Sequence, residues 1–78
     1  MDFYGIEIEP KELKSVYPSA FIEYDGDRSE MSLEWTEANE SSVKILSYIL
    51  TLDSQKVEFK TKDELFIAIS DIYAILNP

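Results

Sequence analysis

Val57-Glu58-Phe59-Lys60 runs into Thr61-Lys62-Asp63-Glu64, and then into the largely apolar stretch from Leu65 to Leu76. The first four residues alternate, which places Val57 and Phe59 on one face of a strand, Lys56 to Lys60. Thr61 and Glu64 have the spacing of a capping box, in which each side chain bonds the other residue's backbone N–H. Asp63 and Glu64 suit the positive end of a helix dipole. The expected helix buries Leu65, Phe66, Ile69, Ile72, Tyr73 and Leu76, and Asn77-Pro78 ends it.

Outward from there the patterns are shorter. Phe3 to Glu9 alternates and reads as a strand with Tyr4, Ile6 and Ile8 on its inner face. Pro10 suits the first position of a short helix carrying Leu13, Val16 and Tyr17, which Pro18 stops. Ala20 to Asp25 alternates again. Asp25-Gly26-Asp27-Arg28-Ser29 is turn chemistry, and Met31, Leu33 and Trp35 resume the alternation, so the pair reads as a hairpin. A loop of two or of four residues keeps Ile22, Tyr24, Met31, Leu33 and Trp35 on one side.

Val43 to Leu52 is apolar enough for a buried strand. On a helical wheel, however, Glu40, Lys44, Ser47 and Thr51 form one narrow polar stripe. That favours a largely buried helix beginning between Thr36 and Ser41 and ended by Asp53-Ser54-Gln55. The expected order is strand, short helix, strand, strand, helix, strand, helix. The fold class is α+β: one domain over residues 1–78, with a small antiparallel or mixed sheet of about four strands and two main helices packed on one face.

Composition narrows the chemistry. The chain has no Cys and no His, which leaves no disulfide, thiolate chemistry or His-based catalysis. A 78-residue chain must build its core from apolar side chains alone, and 45% hydrophobic content suffices. Asp25 to Glu30 starts like a calcium loop but has Glu30 where the sixth-position glycine belongs and Thr36 where the bidentate Glu belongs. The expectation is a non-enzyme with no cofactor and no metal. The N-terminal residues lack the basic and apolar regions of a signal peptide, and no run is long enough for a membrane span, so the expected compartment is the cytoplasm.

The net charge is -9 and is unevenly placed. Residues 1–40 carry eleven acids against three bases, a balance of -8; residues 41–78 carry five against four, a balance of -1. Such a chain disfavours direct contact with nucleic acid or anionic membranes and favours a basic partner. If Tyr4, Ile6, Ile8 and the hairpin's apolar residues face the helices, then Glu7, Glu9, Glu23, Asp25, Glu30 and Glu34 face the other way, beside Phe3 and Phe21. The candidate partner-binding residues are Glu7, Glu23, Asp25, Asp27, Glu30 and Glu34, with Phe21 as an apolar anchor.

In size, acidity and lack of catalytic residues the chain resembles the small inhibitors carried by phages and toxin–immunity systems. The resemblance is one of composition class and transfers no residue. It implies a non-catalytic inhibitor that occludes a basic, nucleic-acid-binding surface of another protein. The alternative is a structural or adaptor protein, or a homodimer subunit, using a sheet edge or an apolar helix face that includes Ile67.

Overall fold

The computed structural model describes residues 1–78 as an α+β fold with two antiparallel sheets and two helices. The elements are β1 (Asp2–Phe3), β2 (Ile6–Glu7), β3 (Val16–Tyr24), β4 (Asp27–Ser32), α1 (Leu33–Ala38), β5 (Lys44–Leu52), β6 (Gln55–Phe59) and α2 (Lys62–Leu76). β1 and β2 form a small hairpin, and the main sheet has the order β4-β3-β5-β6.

The largest departure from expectation is β5. Lys44–Leu52 is a strand and not a helix, paired with β3 on one side and β6 on the other. Its apolar run lacks clean alternation because a bulge at Leu46 shifts its parity and because both faces are buried in part. Leu50 and Leu52 enter the core, while Ser47 and Ile49 are buried on the opposite face. A central strand and a buried helix look alike under those conditions, and tertiary pairing decides between them. Asp53-Ser54, expected to end a helix, instead forms a two-residue hairpin turn between Leu52 and Gln55, with Asp53 at φ 55.

Two other elements also differ. Val16 to Ser19 belongs to β3 rather than to a short helix, and only a turn, Glu12 N–H to Glu9 O at 2.9 Å, remains of that helix. Pro18 is tolerated because the β3–β4 ladder begins at Ser19, so no β4 partner requires its missing N–H. β4 stops at Ser32, whose Oγ accepts the N–H of Trp35 and caps α1. Leu33 and Trp35 are therefore helical and do not continue the strand.

Half of the expected capping box at α2 is present: Thr61 Oγ1 accepts the Glu64 N–H at 3.2 Å, while the Glu64 carboxylate takes the Thr61 hydroxyl at 3.1 Å and not its backbone N–H. Its buried stripe is Leu65, Ala68 and Ile72, with Ile69, Ile75 and Leu76 partly buried. Phe66 and Tyr73, expected inside, are 45% and 52% exposed. These α2 residues pack on Leu50, Leu52, Val57 and Phe59 of β5 and β6, and Phe3 and Ile8 complete the cluster. Phe3 is thus core and not outer face, because the Tyr4-Gly5 turn breaks the parity of the N-terminal strand. α1 packs against β3 and β4, and Lys62 joins the two helices by an ion pair to Glu37 at 3.1 Å.

Two substitutions test these assignments. Leu50→Ala empties a fully buried site and is expected to lower stability by about 2–5 kcal/mol. Thr61→Ala removes the cap of α2 and is expected to lower it by about 0.5–2 kcal/mol. Urea denaturation followed by circular dichroism measures both, and Leu50→Ala should be the more damaging.

Candidate interaction surfaces

The pairing register defines the sheet face opposite the core cluster. It carries Tyr17, Ser19, Phe21 and Glu23 from β3, Arg28 and Glu30 from β4, Lys44, Ser47, Ile49 and Thr51 from β5, and Lys56 and Glu58 from β6. A β-bulge lies between Phe21 and Ile22, where Leu46 is the unmatched residue on β5. The bulge keeps Ile45 beside Ile22 and Lys44 beside Glu23.

This face holds itself closed with its own ion pairs. Lys56 Nζ on one edge strand reaches Glu30 Oε1 on the other at 2.6 Å. Glu30 Oε2 accepts the Ser19 hydroxyl at 2.9 Å, and Glu58 accepts that of Ser47 at 2.7 Å. The hydrogen bond from Lys56, helped by that from Ser19, holds the Glu30 carboxyl below its ordinary range despite partial burial. Arg28 Nε meets Glu23 at 3.1 Å. Three acids (Glu23, Glu30, Glu58) therefore face three bases (Arg28, Lys44, Lys56), and the face is balanced.

The excess carboxylates lie elsewhere. Asp25 and Asp27 sit exposed at the tip of the β3–β4 hairpin, where Asp25 (φ 53) and Gly26 (φ 85) form the turn. That geometry requires residues tolerant of left-handed backbone, and Asp-Gly supplies them. At the far end of the strands Glu7, Glu9, Glu12 and Asp53 line a cavity of about 440 Å³ with Ile8, Leu13, Leu52 and Gln55. Asp53 accepts the backbone N–H groups of Ser15 at 2.8 Å and Lys14 at 3.1 Å, which holds its pKa down.

Of the residues singled out from sequence, the structure gathers Phe21, Glu23 and Glu30 on one face and places Asp25 and Asp27 beside it at the hairpin tip. It does not bring Glu7 or Glu34 there. Glu7 lies in the β1–β2 hairpin and takes the N-terminal ammonium at 2.7 Å, and Glu34 is in the first turn of α1. Glu12 and Asp53 were missed because they meet Glu7 only through folding. No group of three or more acidic side chains is arranged to hold a metal ion. No helix is long and apolar enough to cross a membrane.

A third surface centres on Tyr4. Its ring packs edge-on against Phe3 (4.7 Å) and Phe59 (5.3 Å), and its hydroxyl donates to Asp71 at 2.8 Å. That hydrogen bond, with some desolvation and the nearby charge, raises the Tyr4 pKa. Compared with known proteins, the chain matches no family model, no curated protein and no solved structure.

The lowered carboxyls have a pH consequence. A group with a depressed folded-state pKa contributes stability above its unfolded pKa, and loses it as pH falls through the folded value. Asp53→Asn removes that charge while keeping an acceptor and a side chain tolerant of positive φ. Wild type should be the more stable at pH 7. The gap should close as pH falls from the ordinary carboxylate value of 3.8 through the lower folded one. Relief of general repulsion on acidification is nearly common to both proteins, so the difference between their urea midpoints isolates Asp53.

Proposed function

We propose that the protein is a small acidic, non-catalytic inhibitor that binds a basic surface of another protein and occludes it from nucleic acid. The observation that carries this reading is the placement of charge. The net charge is -9, yet the open sheet face is internally balanced, so the excess lies at exposed positions such as Asp25, Asp27 and Glu34. The reading takes both helices as covering one sheet face, which the shared packing of Leu33 and Leu65 in one cluster supports. It also places the protein in the cytoplasm, where the absence of cysteine fits a reducing milieu.

Magnitudes shape the reading. The molecule is 41 Å long and 19 Å across. Duplex DNA of that length carries about 24 phosphate charges, at one per roughly 1.7 Å. The chain offers well under half of that as net charge, so it imitates a few phosphates and not a duplex. Glu23 and Glu30 would have to exchange their internal partners to join the contact. Asp25 and Asp27 need no such exchange and are its leading residues, with Phe21 as the adjoining apolar anchor and Glu7 and Glu34 on separate flanks.

A second reading, an adaptor or homodimer subunit, is favoured by one observation. Phe66, Ile67 and Tyr73 of α2 are 45%, 59% and 52% exposed. Apolar association of that kind would persist in high salt, and sedimentation at two ionic strengths would reveal it.

The test is capture of the partner on immobilised protein at low salt, with wild type beside the variant Asp25→Lys/Asp27→Lys/Glu34→Lys. The expected result is release of the partner by a salt step, at least about tenfold weaker binding to the variant, and competition with the partner's nucleic acid. Binding that survives high salt and the charge reversal alike contradicts the proposal.

A further inference from the structure

We propose that the surface around Tyr4, formed by the β1–β2 turn, β6 and the outer side of α2, is a docking site for a short basic segment of a partner protein. It would seat cationic side chains in the two hollows beside the Tyr4 ring. The inference rests on the reading that the partner is basic, and it assigns residues which that reading does not use.

The first observation is a broken local rule. Tyr4 (φ 50) and Gly5 (φ 89) form the two-residue turn between Phe3 and Ile6. Asn, Asp or Gly is the usual first residue of such a turn, and a bulky side chain in left-handed backbone costs about 1–2 kcal/mol. The strained conformation lifts the Tyr4 ring onto the surface, 46% exposed, where Asp71 fixes its hydroxyl. A clamp between hairpin and helix accounts for the hydrogen bond. It does not account for the hollows.

Those hollows, of about 410 Å³ each, flank the ring. One is lined by Asp2, Phe3, Tyr4, Asp71, Ala74 and Ile75. The other is lined by Tyr4, Val57, Glu58, Phe59, Glu64 and Ile67. Both have an apolar floor and neither is lined by a Lys or Arg. The first carries the carboxylates of Asp2 and Asp71 and the second that of Glu64, since the Glu58 carboxylate turns to the other sheet face to accept the Ser47 hydroxyl. Ile67, at 59%, is the most exposed large apolar residue of the chain.

Charge complementarity selects the occupant. An arginine or lysine has an aliphatic stem that covers apolar surface and a cationic head that remains at its rim. Arginine fits better, since its planar guanidinium also stacks on an aromatic face and pairs with carboxylates. A second copy of this chain would bring another net charge of -9 against the three rim carboxylates, which opposes self-association here.

The probe is a short blocked peptide of alternating arginine and leucine, titrated into isotope-labelled protein and followed by amide chemical shifts. Its counterpart with glutamate in place of arginine is the control. The expected result is saturable binding with Kd below about 1 mM, with shifts centred on Phe3, Tyr4, Val57, Ile67, Asp71 and Ala74. The control should not bind. Ile67→Ser, at an exposed position that should not disturb folding, is expected to weaken binding by at least about threefold, and Ala74→Arg, which fills a hollow with the same chemistry, to abolish it. Asp25→Lys/Asp27→Lys should leave this peptide's footprint in place.

Three results would overturn the inference. Shifts confined to Asp25 and Asp27, or to Glu9 and Glu12, would move the contact elsewhere and leave the basic-partner reading standing. Absence of binding would reject the site, while the capture experiment above decides the wider reading separately. Concentration-dependent shifts at Ile67 without peptide would make a second copy the occupant.

Discussion

The pairing of β5 on both edges is the constraint on which the rest of the fold depends. Lys44–Leu52 supplies hydrogen-bond partners to β3 and β6 at once. Its inner residues, Leu50 and Leu52, join Val57 and Phe59 to make the floor on which α2 rests. Without that ladder β6 has no neighbour and the buried stripe of Leu65, Ala68 and Ile72 has no sheet to cover. The hairpin turn at Asp53 adds a further tie, since its carboxylate fastens Lys14 and Ser15 to the same end of the sheet.

Where local chemistry and tertiary context agree, the sequence is readable. Thr61 and Glu64 mark the start of α2, Val57 and Phe59 mark the inner face of β6, and Asp25-Gly26 marks the turn of the β3–β4 hairpin. Where several structures satisfy the same local pattern, it is not. The β5 run changes parity at the Leu46 bulge and buries Ile49 on its polar face, so period two does not show cleanly and a helical stripe of Lys44, Ser47 and Thr51 arises by coincidence. Pro18 looks like a helix stop and sits in a strand, because only the ladder's start at Ser19 makes room for it. Ser32 is a readable N-cap that the alternation of Met31 and Leu33 conceals. Tyr4 defies prediction for another reason: its turn conformation is one that its residue type disfavours.

The candidate surface was legible as a composition and not as an arrangement. The excess of acid in residues 1–40 is plain in the sequence, and parity places Glu23, Glu30 and Phe21 together. The cations that cancel them come from residues distant along the chain: Lys44 and Lys56 meet the first half only through the sheet. The fold therefore turns an acidic half-chain into a neutral sheet face with carboxylates at the hairpin tip, at the far end and around Tyr4. Partner recognition on such a molecule would be local, made by a few uncompensated groups next to apolar side chains.

Native-state amide hydrogen exchange tests the central role of β5 most directly. Amides that open only by global unfolding exchange slowest. The account predicts that β5 amides bonded to β3 and β6, those around Ile49 and Leu50 above all, fall in the slowest class, with protection equal to the global stability. Amides of the edge strand β4 should exchange through smaller openings. Exchange of the Lys44–Leu52 amides as fast as those of β4 would contradict it.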